Sequence, residues 1–128
     1  MKKKVLMGIV LLTIVAASAV FAQSQQKFVL EIYNISEAAY KAFDRLETRE
    51  DQYFFTRAAN GTALRDKGKD LTIEQVKQKL LPIDPQNTRW VNQVNDGISS
   101  AQQKWGTHGV ATNTTPRYSV YYWVRKQD

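Results

Sequence analysis

The sequence predicts an α+β domain: a small antiparallel sheet that includes the N- and C-terminal strands of the mature chain, packed against two or three helices. Three observations carry this reading. Near the start, Phe28, Leu30 and Ile32 alternate with Val29, Glu31 and Tyr33. At the end, Tyr118, Val120, Tyr122 and Val124 alternate with Ser119, Tyr121, Trp123 and Arg125. Between them lie helix start signals and apolar residues at helical spacing.

The first strand is preceded by a segment of a different kind. Lys2, Lys3 and Lys4 lead into an apolar run from Val5 through Val20, and Val20-Phe21-Ala22 is followed by the polar Gln23-Ser24-Gln25-Gln26. A basic start, an apolar stretch and small residues at the cleavage point are the parts of a secretory signal peptide. The expected cut follows Ala22, and Ala17-Ser18-Ala19 offers an earlier one after Ala19. The alternative is an uncleaved anchor, because the run approaches the roughly 18 apolar residues of a spanning helix. Residues 1–22 are thus expected to be the signal and 23–128 a single α+β domain.

Removing 22 of 128 residues leaves 106, enough for one core. The formal net charge of +6 falls to +3, because three of the eighteen basic residues are Lys2 to Lys4 and all twelve acids lie downstream. That modest, interspersed charge argues against a nucleic-acid partner, which needs a clustered basic face. The chain has no cysteine, so lipid attachment, disulfides and thiolate chemistry are excluded.

The elements follow in order. A strand is expected from about Lys27 to Tyr33. Ser36 reads as a helix N-cap, after which Ala39, Ala42, Phe43 and Leu46 share one face and Glu37 and Lys41 stand four apart for an ion pair. Tyr53-Phe54-Phe55-Thr56 has strand composition and predicts a strand with a turn at Asn60-Gly61; Thr48 followed by Asp51 offers the alternative of a helix. The charged run Arg65 to Asp70, interrupted by Gly68, reads as a loop. Thr72 and Gln75 form a capping-box pattern, with Leu71 placed to staple against Val76, and Pro82 stops the helix. Asp84 is expected to cap the next helix with Pro85 at its first position.

On that helix Trp90, Val91, Val94, Gly97, Ile98, Ala101 and Trp105 fall within an arc of about 120°, and Gly106 ends it. Glycine in a helix costs roughly 1 kcal/mol relative to alanine, so Gly97 predicts a neighbouring backbone passing close. Thr107 to Pro116 reads as a loop before the last strand.

His108, the single histidine, is expected in that flexible turn, where an imidazole suits general-base work but lacks visible partners. A metal site wants three or four ligands at recognisable spacing, and none is apparent; no cofactor is expected. Asp44, Glu47, Glu50 and Asp51 are close enough in sequence for paired-carboxylate chemistry, yet equally have the spacing of a solvated helix end. Gly61 and Gly68 stand too far apart for a phosphate-binding loop. The binding candidate is the last strand, where Tyr121 and Trp123 share a face flanked by Arg117 and Arg125, a stacking platform unless a helix covers the rings as core.

The expected function is that of an exported, noncatalytic binding domain of the bacterial envelope or extracellular space, periplasmic or secreted. Its expected partner is a protein or a cell-envelope component, with membrane contact only through the signal segment if uncleaved. Two alternatives stand beside it. One is a small extracytoplasmic hydrolase using His108 or the carboxylates near Glu47 and Asp51. The other is a membrane-tethered structural envelope protein that keeps its signal.

Overall fold

The computed structural model describes residues 26–111 and 119–128; the expected signal segment, Arg117 and Tyr118 lie outside them. In chain order the elements are β1 (Phe28–Ile35), α1 (Glu37–Asp44), α2 (Arg49–Ala58), β2 (Thr62–Leu71), α3 (Ile73–Leu80), a short 3-10 turn (Leu81–Ile83), α4 (Thr88–Ser99), β3 (Thr107–Ala111) and β4 (Val120–Lys126). The four strands form one sheet in the order β2-β1-β4-β3, with every neighbouring pair antiparallel. The fold is α+β, and the first and last strands pair as the sequence predicts, with Leu30 opposite Val124 and Ile32 opposite Tyr122.

Because β1 and β4 are central, their alternation serves two cores rather than one. Phe28, Leu30, Ile32, Tyr122 and Val124 point to the face covered by Val76 and Leu80 of α3 and Trp90, Val94 and Ile98 of α4. Tyr33, Ile35, Tyr121 and Trp123 point the other way, under Ala39 and Phe43 of α1 and Tyr53 of α2. Trp90 anchors the first layer: its indole N–H donates to the Leu80 carbonyl at 2.9 Å, and its ring meets Tyr122 edge-on at 5.1 Å.

The helix starts follow the capping logic. Ser36 Oγ accepts from the Ala39 amide, and Thr72 and Gln75 complete both arms of a capping box, with Leu71 packed against the core that holds Val76. Glu37 and Lys41 pair at 3.8 Å.

Six expectations are corrected. Residues 49–58 are helix, not strand: Thr48 accepts from the Asp51 amide, Glu50 and Asp51 stand in the first turn and Arg57 in the last, and those end effects outweigh the strand composition of Tyr53 to Thr56. The charged run 65–70 belongs to β2, whose exposed, lysine-bearing edge is the composition solvent imposes on an outer strand. The cap of α4 is Asn87, which accepts from the Trp90 amide, while Asp84 is buried in the preceding turn and accepts from the Asn87 amide and side chain.

The fourth correction is that α4 stops at Ser99. The hydroxyls of Ser99 and Ser100 turn back on the Asp96 carbonyl, and Trp105, which a continued helix would hold on the same face as Trp90, packs on Tyr53 across the sheet at 5.4 Å. Fifth, what crowds Gly97 is side chain: a Cβ there would meet Thr107 Cγ2 at 2.9 Å. Thr107 itself opens β3, so that stretch is strand where a loop was expected.

Candidate functional site

Two irregularities in β2 shape a concave surface beside β1. Its register against β1 shifts between Ile32 and Tyr33 and again between Phe28 and Leu30. The first shift leaves Leu64 opposite Tyr33 and Lys67 opposite Glu31, so both share the face of those β1 residues. The second passes through Asp70, held at φ 56° with its amide donating to Gln127 Oε1 at 2.7 Å and its carboxylate accepting from the Gln127 amide. Bulges thus re-aim basic side chains onto a face that α1 and α2 leave uncovered.

The result is a cleft of about 700 Å³ lined by β1, β2, β4 and α2. Its floor is Glu31, whose side chain is 15% exposed. The Tyr53 hydroxyl donates to Glu31 Oε2 at 2.6 Å, and the Tyr33 hydroxyl donates to Oε1. Arg57 lies 3.9 Å from the same carboxylate and 5.5 Å above the Tyr53 ring, with 55% of its side chain exposed. Lys67, Lys69 and Arg125 complete the wall, and Leu64 stands at the rim, 50% exposed.

Four cations therefore line the cleft with one carboxylate that is already committed to two phenols. Burial, reinforced by the hydrogen bond to Glu31, pushes the pKa of both Tyr33 and Tyr53 up, so each remains a hydrogen-bond donor at neutral pH rather than a base. The cleft offers charge and hydrogen-bond donation for binding. Neither phenol offers the proton acceptor that general-base chemistry requires.

The structure separates the residues singled out from the sequence. Arg125 lines the cleft. Tyr121 and Trp123 do not form a surface platform: they are 1% and 2% exposed, covered by Phe43 and Tyr53, which meet them edge-on at 4.6 and 5.2 Å. The helices that cover them are α1 and α2, so the rings are core. Arg117 lies outside the described residues.

His108 is on β3, not in a turn. Its ring is wedged against Phe43, Tyr121 and Trp123, and its Nε2 lies 3.2 Å from Gln52 Oε1. Burial, helped by the nearby Arg49 charge, pushes its pKa down to about 4. Glu47 and Asp51 are exposed beside the start of α2 and do not line the cleft. Among the described residues no three His, Cys, Asp or Glu side chains converge as metal ligands would, and no helix is long and apolar enough to cross a membrane.

Sequence reasoning missed Glu31, Tyr33, Tyr53, Arg57, Lys67 and Lys69. Their one legible signal was Glu31 itself, a charged residue in an otherwise apolar alternation. Compared with known proteins, the chain matches no family model, no curated protein and no solved structure.

Proposed function

We propose that the chain is an exported, noncatalytic binding domain of the bacterial envelope or extracellular space, and that the cleft takes an acidic segment of a partner. The observation that supports this most is that Arg57, Lys67, Lys69 and Arg125 line the cleft against a single carboxylate, Glu31. Glu31, gripped by two phenol donors beside Arg57, is the internal example of what these groups take. The half-exposed Leu64 gives the rim an apolar contact for the partner's chain. Export rests on the order of charge, apolar run and small residues in 1–22.

Titration of the labelled protein with hexaglutamate, using hexaglutamine as control, tests the binding half. The expected result is saturable shifts at Lys67, Lys69 and Arg57 with hexaglutamate only, weakening as salt rises and falling about tenfold in Lys67→Glu. Equal response to both peptides would overturn it. N-terminal sequencing of the native protein tests export: a soluble protein starting at Gln23 is expected, and an intact Met1 in membranes would favour the tethered alternative.

A further inference from the structure

The opposite edge of the sheet carries a second, smaller cavity of about 260 Å³, walled by Phe43 of α1, Gln52 of α2, Gln93 of α4, His108 of β3 and Tyr121 of β4. Its chemistry differs from that of the basic cleft. The Tyr121 hydroxyl and Gln93 Oε1 are buried, and neither has a hydrogen-bond partner among the described residues. Buried polar atoms are nearly always paired, so two unpaired ones on the wall of one cavity call for an explanation.

Other features show that this wall is built. Gly109 makes room for the Gln93 amide, since a Cβ there would meet Gln93 Oε1 at 2.9 Å and Tyr122 Cε1 at 2.7 Å. The Tyr121 ring is fixed edge-on against Phe43 at 4.6 Å and against His108 at 5.3 Å. His108 is neutral above its lowered pKa of about 4, so its contact with Gln52 Oε1 assigns the ring proton to Nε2 and leaves Nδ1 an acceptor. Asp44 and Arg89 both line the cavity and cancel in charge.

We propose that this cavity binds a neutral ligand through a primary carboxamide, whose NH₂ donates to Gln93 Oε1 and whose carbonyl accepts from the Tyr121 hydroxyl. The ligand is neutral because the two lining charges, Asp44 and Arg89, belong to exposed residues and cancel, so a charge brought to the buried Tyr121 and Gln93 atoms would lose its hydration with no net opposite charge to replace it. A carboxamide carries donor and acceptor in one plane, and it complements Gln93 whichever way that side chain's own amide is turned. The volume admits a small amide or the end of an asparagine or glutamine side chain, and is below the usual range of pockets for larger molecules. Both unpaired atoms are closed off from water, so the half-buried Gln93 side chain turns aside as the amide enters.

The carboxamide has two sources: a free small amide, or a side chain of an extended peptide pairing with the outer edge of β3. Nitrogen-15-labelled full-length protein is titrated with propionamide, with propionate, and with a blocked Thr-Gln-Thr tripeptide capped as its N-methylamide. Propionamide is expected to give saturable shifts at His108, Gly109, Val110 and the Gln93 side chain, and propionate none. Tyr121→Phe and Gln93→Leu are each expected to weaken propionamide about threefold to tenfold, the range for one neutral hydrogen bond. Gln93 is on a half-exposed helix position, so its variant reports even if Tyr121→Phe does not fold.

Tripeptide binding more than tenfold tighter than propionamide, with slowed exchange of β3 amides, would identify the peptide side chain as the source; equal or weaker binding would identify the free amide. The inference fails if propionamide gives no saturable shift, if propionate moves the same signals as strongly, or if Gln93→Leu leaves the affinity unchanged.

Discussion

The two edges of the sheet solve the same problem in opposite ways. β2 is ten residues long, none of them buried, and carries Arg65, Asp66, Lys67, Lys69 and Asp70 with two bulges. Its open groups are solvated and its charges guard it against pairing with another strand. β3 is five residues long and has no charged residue, since His108 is neutral. The three buried side-chain atoms without a partner among the described residues belong to Tyr121, opposite Val110, to Trp123, opposite His108, and to Gln93, beside Gly109. One edge works by charge in water and the other by unpaired neutral groups kept dry, so substitutions should be costly at β3 and nearly free at β2.

The largest expected effect lies beneath β3. Trp123→Ala removes a ring in contact with Tyr53, His108 and Tyr121 and should cost about 3–5 kcal/mol in urea unfolding. The double change Tyr121→Ala with Trp123→Ala should abolish the native circular dichroism. A double variant that kept its fold and lost only partner binding would restore the surface platform and break the contrast between the edges.

The same contrast explains what the sequence disclosed. Both central strands were legible because burial on two faces demands the β-branched and aromatic residues from which strands are recognised: Phe28 to Tyr33 and Val120 to Val124. Both edge strands read as loops, β2 because solvent dictates its charges and β3 because Gly109 and Thr107 serve close packing against Gln93 and Gly97 rather than strand propensity. The cleft was hidden with them. Lys67 is set opposite Glu31 by the shifted register of β2, and the turn of Arg57 toward that carboxylate depends on α2 being a helix. Tyr121 and Trp123 stood out as a pair sharing one face, but whether a helix covers that face is set by contacts with Phe43 and Tyr53, about 70 to 80 positions earlier in the chain.

A smaller effect is expected from pH. The folded state holds His108 at about 4, below its ordinary 6.5, so between these values the unfolded chain binds the extra proton. Stability is therefore greatest above pH 6.5 and falls as pH drops toward 4. At about 1.4 kcal/mol for each pH unit in this window, the loss approaches 2–3 kcal/mol. Urea melts from pH 7 to pH 4.5 should show this slope in the wild type and a flatter one in His108→Leu. Equal slopes would mean that β3 is as wet as β2.

The smallest effect is expected on the β2 edge itself, where Lys79 of α3 reaches Asp66 at 3.0 Å. The Lys79 hydrogen bond holds the Asp66 carboxyl below the usual carboxylate range, which contributes stability above its unfolded pKa and withdraws it as pH falls through the folded one. Both side chains are more than a third exposed, so water and salt screen most of that contribution. Asp66→Asn should change unfolding stability by less than about 0.5 kcal/mol at neutral pH, and less still in high salt. A loss as large as that at Trp123 would mean that β2 is held by specific contacts of its own. The small loss instead leaves its charges free for what binds in the cleft, because side chains that contribute little to folding can be desolvated or re-paired by a partner without unfolding the strand that carries them.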